Sequence, residues 1–233
     1  MRFLLHLLCS LLLLSRAPTA ADVMTYAFEQ YSIVYAHYLN QSHRYYPASG
    51  SPFHEYWDVT SAVSGWTSGF FPGVLWNLFE YNSNSTAFQM AVDVTGPTAP
   101  FANVTNTHDV GFVIMSGFGN GYRLAKIADY FDIIVTAAHS LATRYSPIVR
   151  CIRSHDTPTG YVVIIDNMMN LELLFEASNL TNNATLLNIA WQHTNRTMYE
   201  HFRADNSTYH VLVYNETNGN VMFKGTGQGL ERI

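Results

Sequence analysis

Residues 161–177, Tyr-Val-Val-Ile-Ile-Asp-Asn-Met-Met-Asn-Leu-Glu-Leu-Leu-Phe-Glu-Ala, constrain the fold more than any other stretch. A β-branched run from Val162 to Ile165 stops at Asp166-Asn167, and strong helix formers with almost no polar relief follow. Asp and Asn favour helix N-caps, because a short side chain can accept from the orphan N–H groups of the first turn. A helix apolar on nearly every face is an interior helix. Asp166 therefore sits at the mouth of a buried helix, as either a satisfied cap or a working group.

The pattern recurs. Trp66-Thr-Ser-Gly-Phe, His108-Asp109-Val-Gly-Phe and Ile165-Asp166-Asn-Met-Met each open a mostly apolar helix, and a more amphipathic helix follows each one. The steps from Trp66 to Asp109 and from Asp109 to Asp166 are 43 and 57 residues, each long enough for one helical hairpin. Alternating apolar and amphipathic helices predict two concentric layers with the apolar ones inside. Inner helices that run the same way bring Trp66, Asp109 and Asp166 to one rim. Two carboxylates at one opening are the equipment of acid–base work on a glycosidic substrate. The alternative is two unrelated N-caps.

The remaining elements follow from periodicity and punctuation. A helix is predicted over 21–40, with Met24, Phe28, Ile33, Val34 and Tyr38 on one face. Residues 43–64 read as a loop. The next helix runs from Trp66 to about Tyr81, with Ser68 as its cap and Pro72 in its first turn. Residues 85–94 form a third helix and 96–106 a loop. The helix opened by Asp109 runs from Val110 to about Ser116 and breaks up at Gly117, Gly119 and Gly121. An amphipathic helix over 129–145 stops at Pro147. A polar loop over 151–160, the helix after Asp166 and a helix over 183–202 complete the α-helical part. The alternation of Tyr209, Val211 and Val213, with the Asn218-Gly219 turn, predicts a short β-hairpin within 207–224.

Composition narrows the chemistry. The 233 residues are 48% hydrophobic, 14% aromatic and only 12% charged, with a net charge of −5, which excludes a disordered chain and argues against a nucleic-acid partner. Met1 to about Ala20 has the layout of a secretory signal: Arg2, an apolar stretch from Phe3 to Leu14, and small residues near Thr19-Ala20-Ala21. That stretch is too short for a membrane span, so the expectation is an exported, soluble protein with residues 21–233 as one domain. Eight Asn-x-Ser/Thr sequons, at Asn40, Asn84, Asn103, Asn179, Asn183, Asn195, Asn206 and Asn215, agree with export. Cys9 falls in the signal and Cys151 stands alone, so stability comes from packing rather than a disulfide. The ten His do not fall at ligand spacing with carboxylates, and neither a nucleophile elbow nor a P-loop is present, so no metal or cofactor is expected.

Five segments together resemble the unsaturated glucuronyl hydrolases, the family 88 glycoside hydrolases. They are Trp66-Thr-Ser-Gly-Phe-Phe-Pro-Gly-Val-Leu-Trp76, Thr107-His-Asp-Val-Gly-Phe112, Gly117-Phe-Gly-Asn-Gly-Tyr-Arg-Leu124, Asp166-Asn-Met-Met-Asn-Leu-Glu-Leu-Leu-Phe175 and Ser207-Thr-Tyr-His-Val211. The resemblance spans roughly residues 56–229 and implies an all-α fold, an α/α toroid of six helical hairpins. It also implies an unusual reaction. The substrates are oligosaccharides left by polysaccharide lyases, with a C4=C5 double bond in the terminal uronic acid. An acid protonates C4, water adds at C5, and the resulting hemiketal opens to release the aglycone. By resemblance Asp166 is the general acid/base, Asp109 is the second essential carboxylate, and Trp66, His210 and Gln228 contact the sugar.

Two departures qualify the resemblance. Ser154-His155 stands where the family has Ser-Trp, which removes a stacking surface. The family also continues well past Gln228, whereas this sequence ends at Ile233. About the first half to two-thirds of the toroid is expected, as in a truncated member or an incomplete gene model. The competing expectation is a non-catalytic carbohydrate-binding fragment. Oligomeric state is not legible.

Overall fold

The computed structural model describes residues 17–41, 45–50, 57–158 and 160–226. Most of the predicted signal segment and Gln228 lie outside the described residues. The chain begins with helix α1 (Ala20–Asn40), a strand pair β1 (Tyr45–Ser49) and β2 (Asp58–Ser61), and a 3₁₀ turn over Trp66–Gly69 that runs into α2 (Phe70–Asn82). Helix α3 (Ser85–Thr95) leads into a 3₁₀ segment, Gly96–Asn103. Then come α4 (Val110–Ile114), a π-helical turn over Met115–Gly119, α5 (Asn120–Ala125) and α6 (Tyr130–Ala142). Short strands β3 (Tyr145–Ser146), β4 (Cys151–Ile152) and β5 (Tyr161–Ile164) precede α7 (Asn167–Thr181) and α8 (Ala184–Glu200), and β6 (Val211–Tyr214) and β7 (Val221–Gly225) finish the described chain. No helix among the described residues is long and apolar enough to cross a membrane.

The two-layer expectation holds. α2, α4 and α7 stand side by side, and α1, α3, α6 and α8 pack against them from outside. One continuous core links the layers through Phe71, Leu75, Trp76, Val94, Ile114, Ile134, Leu171 and Leu174. The Trp76 indole is fully buried and its Nε1–H donates to Thr95 Oγ1 at 3.0 Å, so the polar edge of the ring is satisfied inside the core.

Glycines set the spacing of the inner row. A Cβ on Gly69 would lie 2.5 Å from Val113 Cα, and one on Gly73 would lie 3.2 Å from the Ser116 side chain. The matched order, 69 with 113 and 73 with 116, makes α2 and α4 parallel. A Cβ on Gly111 would lie 2.5 Å from Asn170 Cα, so the first turns of α4 and α7 also touch backbone to backbone. The inner N-termini are thereby gathered on one rim, as the recurring pattern predicts.

Local readings needed correction in several places. The glycines at 117, 119 and 121 do not break the helix: the chain stays helical from Val110 to Ala125 by widening into the π turn. Gly119 and Gly121 instead make room, the first for the Met115 side chain and the second for the Tyr130 and Trp76 rings. Ser68 is buried within the 3₁₀ turn and caps nothing, and α2 starts from Gly69 without a side-chain cap. The described part of the 43–64 loop pairs as β1 and β2, with Tyr46 reaching the core and donating to Val94 O at 2.7 Å. Ile33 faces solvent; Tyr31 and Tyr35 take its place against the core. The predicted hairpin is β6–β7, and it gains a third strand because β5 pairs with β6. α7 is less enclosed than its sequence suggests, with Met169 63% exposed.

The close glycine contacts predict which substitutions the fold tolerates. Gly111→Ala and Gly69→Ala should each lower stability by about 1–3 kcal/mol, because backbone rather than a flexible side chain blocks the new methyl. Gly96 has open space around the same position and a helical backbone, so Gly96→Ala should be neutral or slightly stabilising. Urea unfolding midpoints of the three variants check this ordering.

Candidate active site

Asp109 and Asp166 both hold the N-cap position of an inner helix, and neither caps it. The reason lies in the backbone. A capping side chain reaches its N–H groups from an extended conformation. Thr19, Asn84 and Asn183 have ψ of 164, 120 and 96° and cap α1, α3 and α8. Asp109 has φ −67, ψ 1° and Asp166 has φ −54, ψ −26°, already close to helical, so their carboxylates turn away from the helix ends. Residues of the same short polar type are structural at three helix starts and chemically available at two.

Around Asp109 the donors form one consistent set. Thr107 Oγ1 donates to Oδ2 at 2.5 Å, and His108 Nε2 lies 3.2 Å from Oδ1. With that proton on Nε2, His108 Nδ1 offers its lone pair to Asn170 Nδ2, a long contact at 3.5 Å. Asn170 Oδ1 in turn accepts from the Phe112 backbone N–H at 2.8 Å. This network sits on the Gly111–Asn170 contact, so the glycine that lets the helices touch also lets α7 orient the histidine beside Asp109. His108 is 1% exposed, and burial first of all pushes its pKa down to about 4, against the pull of the Asp109 carboxylate. It is a neutral donor near pH 7. Asp166 also acts on it electrostatically, more weakly than Asp109.

Strand register sets the partner of Asp166. Ile164 pairs with Val211 across β5 and β6, and one residue on, the Ile165 N–H donates to His210 O at 2.9 Å. His210 therefore stands opposite the mouth of α7, and its Nε2 lies 3.1 Å from Asp166 Oδ2. Among the described residues Oδ1 makes no hydrogen bond, and the side chain is 39% exposed. One oxygen is held and the other is open.

Trp66 is 54% exposed. Its ring sits edge-on to Phe70 and Phe112, and Phe112 continues to His108. His155 ends this aromatic row, its ring 5.2 Å from His108 and nearly perpendicular to it. The position that lacks the expected Trp thus still carries a ring. Arg144 fixes that segment: the buried guanidinium donates to Thr105 O, Arg153 O and Asp156, tying the loop before Asp109 to the loop that carries His155. Among the described residues no cluster of His, Cys, Asp and Glu could hold a metal ion. The structure thus brings Trp66, Asp109, Asp166 and His210 to one side of the inner row. Sequence reasoning gave no role to His108, Asn167, Asn170 or Arg144. Asn167 and Asn170, amides three apart among the apolar residues that open the helix, were the available signal.

An inner row of parallel helices wrapped by an outer row, with its carboxylates on one rim, is an arc of an α/α helical-hairpin toroid. The chain resembles the unsaturated glucuronyl hydrolases in both sequence and fold. No protein-family model matches it. It is 42% identical over 171 residues to the unsaturated glucuronyl hydrolase of Formosa agariphila, a match covering 72% of this chain and 43% of that protein. It superposes with a TM-score of 0.81 and 32% identity on the crystal structure of an unsaturated glucuronyl hydrolase specific for heparin, covering 90% of this chain and 56% of the other. The Streptococcus agalactiae unsaturated glucuronyl hydrolase, solved as a mutant in complex with dGlcA-GalNAc6S, shares the fold at a TM-score of 0.64 and 22% identity, over 94% of this chain and 52% of that one. The chain spans about half the length of the relatives it matches.

The buried histidines predict acid sensitivity. His108 is held near 4 and His193 near 3, in each case chiefly by burial, whereas an unfolded histidine titrates near 6.5. Between pH 6.5 and 4 the unfolded chain binds protons that the folded chain refuses. Stability is therefore full above pH 6.5 and falls with pH below it, by up to about 1.4 kcal/mol per unit for each histidine. Urea midpoints taken every half unit from pH 7.5 to 4 should decline from about pH 6.5 downward.

Proposed function

We propose that this chain carries the acid–base site of a secreted glycoside hydrolase acting on unsaturated glucuronyl oligosaccharides. The observation that carries the reading is Asp166: a carboxylate at an inner-helix mouth, not used as a cap, with His210 on one oxygen and the other open. Asp166 Oδ1 delivers a proton to C4 of the C4=C5 double bond, and positive charge develops at C5. Asp109, held by Thr107 and His108, stabilises that charge and positions the water that adds at C5, an electrostatic contribution made in the transition state. The hydrated carbon is a hemiketal, which opens and releases the aglycone. Trp66 and the aromatic row beside it offer a face for the sugar ring. Gln228 keeps its sugar-contacting role by resemblance alone. Export rests on the leader-like residues 1–20 and on sequons of which Asn40, Asn103, Asn179, Asn195 and Asn206 are exposed.

A second reading is a carbohydrate-binding domain without turnover, favoured by His155 standing where the resemblance expects a stacking Trp. Loss of the double-bond absorbance of an unsaturated chondroitin disaccharide separates the two. The enzymatic reading expects turnover by the full chain and a fall of about 10²- to 10⁴-fold in kcat for Asp166→Asn. Undiminished turnover in that variant ends the assignment of the acid, and sugar binding with no turnover by the unsubstituted chain favours the second reading. Trp66→Ala should raise KM about three- to tenfold with a smaller effect on kcat, as loss of one stacking contact requires.

A further inference from the structure

His193 and Thr197 on α8 and His201, the C-cap residue just past its end, follow one another four residues apart and are all buried. Each presents an atom with no hydrogen-bond partner among the described residues: His193 Nε2, Thr197 Oγ1 and His201 Nε2. His210 Nδ1 is buried and unpartnered in the same way. Buried polar atoms are almost always satisfied, by protein or by ordered water, so these four orphans call for a common explanation. Electrostatic neighbours connect them in order: His108 and His201 act on His193, and His210 acts on His201.

The partners that are present fix the protons. His193 Nδ1 accepts from the Ile152 N–H at 2.9 Å, so Nε2 carries the hydrogen and is a donor. His201 Nδ1 faces the Tyr209 carbonyl at 3.1 Å and must donate, so its Nε2 is a bare acceptor. His210 Nε2 faces a carboxylate, and as a donor there it leaves Nδ1 a bare acceptor. Two acceptors cannot satisfy each other. A water molecule, with two donor hydrogens, can serve both, and the Thr197 hydroxyl and the His193 N–H can extend the line.

We propose that His201, Thr197 and His193 hold ordered water against Nδ1 of His210, and that His201 is thereby a positioning residue for Asp166. The consequence is chemical. A hydrogen donated to His210 Nδ1 keeps the imidazole proton on Nε2, so Asp166 Oδ2 stays an acceptor. The acid's own proton is then confined to Oδ1, the open oxygen. The reverse tautomer would draw that proton to Oδ2, on the side away from the opening. This inference rests on the reading of Asp166 as the reacting acid.

The test is long-range ¹H–¹⁵N correlation on the full chain labelled with ¹⁵N-histidine. The expected result is an Nε2–H tautomer for His193 and His210 and an Nδ1–H tautomer for His201. An Nδ1–H tautomer at His210, or an Nε2–H tautomer at His201, overturns the proposal without any variant being made. In His201→Phe the His210 Nδ1 signal should shift and kcat should fall about tenfold with KM held, His201→Gln should recover part of the loss by restoring an acceptor, and Thr197→Val should give a smaller fall. A His201→Phe enzyme that is folded, unshifted at His210 and fully active overturns the positioning role while leaving Asp166 in place. Loss of the Asp166 assignment itself is read separately, from Asp166→Asn.

Discussion

The structure depends on two places where a glycine lets helix backbones touch. Gly69 against Val113 and Gly111 against Asn170 have no room for even one more methyl group. Protein interiors are close-packed and transmit displacement rather than absorbing it, so these contacts fix where each inner helix begins relative to the next. The rim that holds Asp109 and Asp166 follows from that spacing. The same contact lets Asn170 reach back to Phe112 and His108, so packing and polar orientation share one seam.

A second constraint comes from the sheet. The β5–β6 register decides that His210 faces Asp166, and a one-residue slip would turn the imidazole to the other face. The acidic site is built from a helix mouth, whose position is set by helix packing, and a strand end, whose position is set by backbone pairing. Arg144 ties the loop bearing His155 to the loop before Asp109, so one buried guanidinium braces the segments on both sides of the aromatic row.

Much of this was legible in the chain itself. Apolar helices opening with Trp66, Asp109 and Asp166 and alternating with amphipathic ones were enough for two layers and a shared rim, because hydrophobic period reports burial directly. Resemblance to a family added His210, whose partnership with Asp166 depends on a pairing between segments 44 residues apart in sequence. What stayed hidden was tertiary in origin. Gly117, Gly119 and Gly121 look like terminators, but the widened turn and the Trp76 and Tyr130 rings around them keep the helix running. The capping preference of Asp was a sound prior, defeated by backbone angles that only the neighbouring elements impose.

Cys151 lies fully buried beneath the three-stranded sheet, in the smaller apolar cluster with Tyr161, Val163, Leu212 and Tyr214. Burial pushes its thiol up to about 12. Thiolate is the form that attacks disulfides and oxidants, and at neutral pH it is a vanishing fraction of such a group. Among the described residues no thiol is exposed, so an oxidising medium finds no cysteine in this part of the fold through which to cross-link two copies.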